Sequence, residues 1–257
     1  MADVDAHEPG THCWSELATS DTAAAKKFYS ALFGWEPEDT PAGPDMVYTM
    51  LRLRGREVGA LYPQDENEAA QGVPPHWNVY IAVASADATA AKAKELGGTV
   101  LMEPFDVMEH GRMTIVQDPT GATICAWQAR NHVGARVVRE QGAACWVELY
   151  TRDTAKAGSF YSQLFGWTSK ESPGYTEFHS GDQPVGGMMA IEKEWGEVAP
   201  HWIVYIQVAD VDGTAARAKS LGGRPHVDPR DIPEVGRFAM FHDPQGAALA
   251  IIRLDRA

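Results

Sequence analysis

Two glutamates and two histidines stand at matching places in this chain, Glu16 with His76 and Glu148 with His201. A carboxylate beside an imidazole can pass a proton in either direction near neutral pH, because histidine ordinarily titrates at about 6.5. The same stretches carry Trp14, Asn78, Tyr80, Cys125 and Trp127 in the first half, and Trp146, Tyr150 and Tyr205 in the second. Aromatic walls with a few polar groups suit a pocket for a planar or semi-polar organic molecule. Spacing along the chain does not put a glutamate against a histidine, so three readings stay open. The Glu and His side chains could make buried hydrogen bonds that lock the sheet edges, as most buried polar groups do. The set could instead bind a ligand, or the pairs could serve as acid and base or as an unorthodox metal site.

These residues come in duplicate because the chain does. Cys13 to Trp35, CWSELATSDTAAAKKFYSALFGW, returns as Cys145 to Trp167, CWVELYTRDTAKAGSFYSQLFGW, at an offset of 132 and with 16 of 23 positions identical. Identity that includes surface positions indicates duplication of a whole domain. The expected organisation is one domain over residues 8–130, a linker over 131–142 and a second domain over 143–257.

Within each copy the opening residues alternate with period 2, which predicts a strand with Trp14, Glu16 and Ala18 on one face and Cys13, Ser15 and Leu17 on the other. Asp21 and Asp153 offer N-cap chemistry to a helix whose apolar face is Ala25, Phe28 and Leu32, or Ala157, Phe160 and Leu164, and which Gly34 or Gly166 ends. Hairpins are expected over 46–61 and 175–189, and the polar stretch from Pro63 reads as a surface loop. HWNVYIAV from His76 and HWIVYIQV from His201 open a second round of strand and helix, with Trp77, Val79 and Ile81 facing the helix and His76, Asn78 and Tyr80 facing away. Two strands around an Asp-Pro-x-Gly turn close each copy. Each half is thus a βαβββ unit used twice, which makes the chain an α+β protein of four such units.

Composition narrows the partners. With 44% hydrophobic and 22% charged residues, 257 residues suffice for two ordinary domains, and no apolar run approaches the ~20 residues of a membrane span. The start, MADVDAHEPG, is acidic and polar, so the cytosol is the expected compartment. A net charge of −13 without a basic cluster argues against nucleic acid and anionic membranes and leaves a small molecule or another protein as the expected partner. Of three cysteines, Cys13 and Cys145 are the same position twice, and all three read as reduced core thiols.

The D-T-A-x-A-x-x-F-Y-x-x-L-F-G-W run and the D-P-x-G turn, present in both halves across about residues 12–253, resemble the vicinal oxygen chelate superfamily. That superfamily includes glyoxalase I, bleomycin-resistance proteins, fosfomycin-resistance enzymes and extradiol dioxygenases. The repeated W-x-E-L-x-T-x-D start is similar to two-domain actinobacterial proteins labelled glyoxalase-like or hydroxylases. The resemblance implies paired βαβββ modules whose sheets curl into a cup. It also implies metal-ligand positions, which here are Trp14, Asn78 and Cys125 in the first domain and Trp146, Ile203 and Ala250 in the second. Trp, Ile and Ala cannot ligate, and Asn with Cys is a mismatched pair, so neither metal nor other cofactor is expected. The precedent the resemblance supplies is the bleomycin-resistance type, which binds a drug without transforming it. The expected function is binding of a small aromatic or antibiotic-like molecule in the cups. The alternative is a glyoxalase-like lyase or hydroxylase using the Glu and His pairs. Two domains in one chain imply a monomer with pseudo-dimeric domains, or a homodimer. His7, His110, His132, His179, His226 and His242 are given no ligand role.

Overall fold

The computed structural model describes residues 4–43 and 46–255; the first three residues of the acidic start and the last two of the second domain lie outside the described residues. In chain order the first half contains β1 (His12–Thr19), α1 (Thr22–Phe33), β2 (Glu36–Pro41), β3 (Val47–Leu53), β4 (Arg56–Pro63), α2 (Glu66–Ala70), β5 (His76–Ala82), α3 (Ala86–Glu95), β6 (Thr99–Val107), β7 (Gly111–Gln117) and β8 (Thr123–Ala129). The second contains β9 (Ala144–Thr151), α4 (Thr154–Phe165), β10 (Thr168–Ser172), β11 (Tyr175–Ser180), β12 (Gln183–Ala190), β13 (His201–Gln207), α5 (Val211–Ser220), β14 (Arg224–Ile232), β15 (Gly236–His242) and β16 (Ala248–Leu254).

Each half builds one eight-stranded sheet, ordered β2-β3-β4-β1-β5-β8-β7-β6 in the first and β10-β11-β12-β9-β13-β16-β15-β14 in the second. The two modules of a half meet at their first strands: β1 runs antiparallel to β5 and parallel to β4, and β5 runs parallel to β8. Four βαβββ modules in two tandem domains are therefore present. The outermost strands, β2 and β6 with their counterparts β10 and β14, fall where the sequence announced no strand. β2, EPEDTP, is exposed along its whole length and so carries no apolar alternation. β6 slips register against β7 twice, which breaks the period of 2. The stretch after Pro63, expected as loop, includes the short helix α2, which Asp65 caps and which buries no residue.

Local chemistry sets the helices as expected. The Asp21 side chain accepts the Ala24 N–H at 2.9 Å, and Gly34 ends α1 in the left-handed conformation at φ 73°. Asp21→Ala is expected to cost about 1 kcal/mol, read as a melting temperature lower by about 3 °C. Another expectation changes. Alternation puts Cys13 on the helix side with Leu17, but a bulge between His12 and Trp14 turns it to the opposite face, where the buried thiol lies 3.5 Å from the Tyr80 carbonyl.

The helix-side faces of both sheets share one core, in which Leu17, Tyr29 and Trp77 of the first half are buried with Leu149, Tyr161 and Trp202 of the second. Hydrogen bonds cross between the halves in a repeated pattern. Trp35 Nε1 donates to the Gly142 carbonyl at the entrance to β9, and Trp167 Nε1 donates to the Gly10 carbonyl before β1, both at 2.7 Å. The Tyr29 hydroxyl donates to Asp243 Oδ2 at 2.9 Å, joining α1 to the D-P-x-G turn of the other domain. Tyr161 has the matching relation to Asp118, whose charge adds to burial in raising that tyrosine's pKa. The segment between the domains lies against β1, where the Ala135 N–H donates to the Cys13 carbonyl at 2.8 Å. Gly134 permits this approach, since at φ 112° any side chain there would overlap the Cys13 carbonyl. The opposite face of each sheet carries its own smaller cluster, one cup per domain. Among the described residues no helix is long and apolar enough to cross a membrane.

Candidate functional site

Strand register assembles the first cup. β1 and β5 set Trp14 opposite Tyr80 and Glu16 opposite Asn78, while β5 and β8 set Tyr80 beside Cys125 and Ala82 beside Trp127. Directly paired residues share a face, so Trp14, Glu16, Asn78, Tyr80, Cys125 and Trp127 line one surface. At its centre is the half-buried carboxylate of Glu16. Tyr48 donates to its Oε2 at 2.8 Å, and Tyr80 donates to its Oε1. Trp14 Nε1 donates to the Tyr48 hydroxyl at 3.2 Å, and Asn78 Nδ2 donates to the Tyr62 hydroxyl at 3.0 Å. The Tyr48 and Tyr62 rings stack with centroids 6.4 Å apart.

Burial pushes the Glu16 pKa up, against the pull of its Tyr80, Tyr48 and Trp14 donors. Burial and then the Glu16 charge push the Cys125 thiol well above its ordinary value, which favours the thiol over the nucleophilic thiolate. Raised tyrosine pKa values, led by burial at Tyr48 and Tyr80, keep those hydroxyls as donors.

The histidines do not join the glutamates. His76 pairs with Ala18, two residues along β1 from Glu16, and its Nδ1 lies 2.9 Å from the Pro74 carbonyl. His201 pairs with Tyr150, and its Nδ1 lies 2.7 Å from the Ala199 carbonyl. Two residues along a strand is about 6.7 Å, so each imidazole stands on the right face one diagonal step from the carboxylate, with its ring nitrogen turned to a backbone carbonyl. The partners of each glutamate are tyrosines instead.

Tyr48, Tyr62 and Tyr175 were not among the residues singled out in the sequence. A signal for two of them existed: Tyr48-Thr49 and Tyr175-Thr176 open corresponding strands, β3 and β11. His132, given no ligand role, packs its ring edge-on to Trp14 at 4.7 Å and near Trp127 at 5.9 Å. Its Nδ1 is 3.4 Å from Glu57, whose carboxyl it holds below the ordinary range. Trp127 Nε1 donates to the His132 carbonyl at 2.9 Å. This inter-domain segment has no second copy, so repetition could not point to it.

The second cup keeps the glutamate and changes its surroundings. Tyr150 and Tyr205 donate to Glu148 Oε1 at 2.6 and 2.7 Å, and Trp146 Nε1 donates to the Tyr175 hydroxyl at 3.1 Å. Tyr175 has room because Gly187 lies beneath it, where any side chain would overlap its hydroxyl. Ile203, Ala250, Phe238 and Met240 fill the rest with apolar surface.

At the positions where the resemblance implied metal ligands, the Trp14 indole and the Asn78 amide are hydrogen-bond donors and burial raises the pKa of the Cys125 thiol. Of these groups the Trp14 indole has no lone pair to offer a metal ion. Among the described residues no three His, Cys, Asp or Glu side chains come together so as to hold one.

The model of the Glyoxalase/Bleomycin resistance protein/Dioxygenase superfamily matches residues 11–126 and 144–251. The chain belongs to this superfamily. "Putative glyoxylase CFP32" of Mycobacterium tuberculosis is 43% identical over 253 residues, covering 96% of each chain. "Anthracycline biosynthesis protein DnrV" of Streptomyces peucetius is 35% identical over 263 residues, covering 96% of this chain and 94% of that protein. Solved superfamily structures share the fold. The Mn(II)-bound glyoxalase of Novosphingobium aromaticivorans aligns with a TM-score of 0.66 at 17% identity, over 95% of this chain and 82% of that one. The 2,3-dioxygenase LapB of Pseudomonas sp. KL28 aligns with a TM-score of 0.65 at 12% identity, over 96% and 93%.

Proposed function

We propose that the first cup binds a small planar aromatic molecule through a hydroxyl that donates to Glu16, without the metal that the resemblance to metal-dependent superfamily members would imply. The observation that carries this reading is the half-buried Glu16 carboxylate, held by Tyr48 and Tyr80 on a wall with Trp14 and Trp127. A fixed carboxylate in a largely apolar cup favours a phenol, which offers one donor and a flat apolar body. The rim agrees with such a ligand. Phe105 and Met102 pair with Met113 and Ile115 of the cup cluster and stay 38% and 44% exposed. DnrV is named for anthracycline biosynthesis, and anthracyclines are planar polycyclic phenols, which supports the same ligand class.

Catalysis is the second reading, and the raised pKa of Glu16 favours it. A carboxyl shifted toward neutrality, with two tyrosine donors, could take a proton from a bound phenol or enolisable carbonyl and return it. His76 lies outside that exchange.

Titration with the dihydroxyanthraquinone alizarin, followed by tryptophan fluorescence, tests the binding reading. Saturable quenching is expected from Trp14 and Trp127, in protein that carries no stoichiometric Zn, Ni, Mn or Fe by elemental analysis. Stoichiometric metal would overturn the metal-free reading, and absence of saturable quenching would overturn the ligand class.

A further inference from the structure

We propose that Tyr150 closes the second cup, so that the chain carries one ligand site and not two. The inference rests on the first cup being a binding site.

The two sheets correspond strand for strand, so each position in one cup has a counterpart in the other. Tyr150 corresponds to Ala18, since each lies opposite its domain's strand-entry histidine, His201 or His76. On the neighbouring parallel strand, Met189 faces Tyr150 where Tyr62 faces Ala18. A large ring is thus supplied at this level in both cups, from the central strand in the second and from its neighbour in the first.

The exchange changes how far the carboxylate is covered. The Tyr150 hydroxyl donates to Glu148 Oε1 at 2.6 Å and stands 3.3 Å from the Tyr205 hydroxyl, which bonds the same oxygen at 2.7 Å. Glu148 and Tyr150 are each only 5% exposed, and Ile203, at 2%, takes the place of the half-buried Asn78. In the first cup the Tyr62 hydroxyl is engaged by Asn78 and does not bond Glu16, which stays half-buried. His201 stacks on the Tyr150 ring at 5.5 Å, and Trp195 packs against it at 5.7 Å. Glu16 also accepts from two tyrosines, so the difference lies in cover: the Tyr150 ring, held beside His201 and Trp195, leaves Glu148 only 5% exposed, and a ligand hydroxyl would first have to displace it.

Calorimetric titration of the full chain with alizarin gives the stoichiometry directly. Wild type is expected to bind one equivalent and Tyr150→Ala two. Tyr150→Phe, which keeps the ring, is expected to bind one. The reciprocal variant Ala18→Tyr/Tyr62→Met writes the second cup's pair into the first and is expected to bind none, and it keeps the test available should Tyr150→Ala fail to fold. Two equivalents in wild type, or one in a folded Tyr150→Ala, overturns the closure while leaving the first-cup reading intact. No binding by wild type overturns the first-cup reading, and a gain in Tyr150→Ala then still supports closure by Tyr150. No binding by any variant overturns both.

Discussion

Asp243→Ala is expected to destabilise the protein by about 4 kcal/mol, lowering its melting temperature by roughly 10 °C. The side chain is 0% exposed and every contact it makes is structural. Its Oδ1 accepts the backbone N–H groups of Gln245, Gly246 and Ala247 at 2.9, 2.8 and 2.9 Å, which closes the D-P-x-G turn. Its Oδ2 accepts the Tyr29 hydroxyl, whose oxygen in turn accepts Trp77 Nε1 at 3.1 Å. Alanine would leave several donors buried without acceptors, and each such group costs about 1–3 kcal/mol. Tyr29→Phe removes the hydroxyl that bonds Asp243 and accepts Trp77 Nε1 but leaves the N–H groups of the turn paired, and it is expected to cost about half as much. Urea unfolding of the three proteins checks both figures, and a loss below about 1 kcal/mol for Asp243→Ala would contradict the assignment of this residue as a joint between turn and helix.

Glu16→Gln should weaken alizarin binding about thirtyfold, the equivalent of about 2 kcal/mol for a hydrogen bond to a charged acceptor. The substitution also alters how stability depends on pH. Burial raises the Glu16 pKa, so the folded protein holds this proton more tightly than the unfolded chain does. The resulting stabilisation is complete below the unfolded carboxylate range and is lost as pH rises through the folded value. Asp243 acts with the same sign, its pKa also raised by burial. The lowered pKa values of His7, His12, His201 and His242, led by burial, act with the opposite sign over this range, so the expected signature is a difference: Glu16→Gln loses less stability than wild type as pH climbs above the ordinary carboxylate range. Urea midpoints taken from about pH 5 to about pH 8 give the comparison. Equal slopes in the two proteins would show that Glu16 titrates as an ordinary surface carboxyl.

The residues by which the superfamily is recognised prove to belong mostly to the contact between domains. Tyr29 and Trp35 of the F-Y-x-x-L-F-G-W run reach Asp243 and Gly142, and Trp167 reaches Gly10. The exception is W-x-E. Trp14 and Glu16 lie in the cup, where Trp14 turns an implied ligand position into a hydrogen-bond donor and Glu16 supplies a carboxylate that accepts from Tyr48. The motifs thus report how two copies pair more than what either does.

Helix caps, turns and the faces of β1 and β5, apart from Cys13 at the bulge, were legible in the sequence because each depends on residues a few positions apart, and the duplication was legible as direct repetition. Alternation put Trp14, Glu16, Asn78 and Tyr80 on one surface, and the register agrees. The partners of Glu16 were not legible. Tyr48 and Tyr80 stand 32 and 64 positions away, and only the sheet order, with β4 and then β3 on one side of β1 and β5 on the other, brings their hydroxyls to one carboxylate. The same holds for His76, which shares the surface with Glu16 and is held off by one step of strand pairing. Periodicity assigns a side chain to a face, whereas contact within a face is set by register between strands, and register is decided when the whole sheet packs against its core.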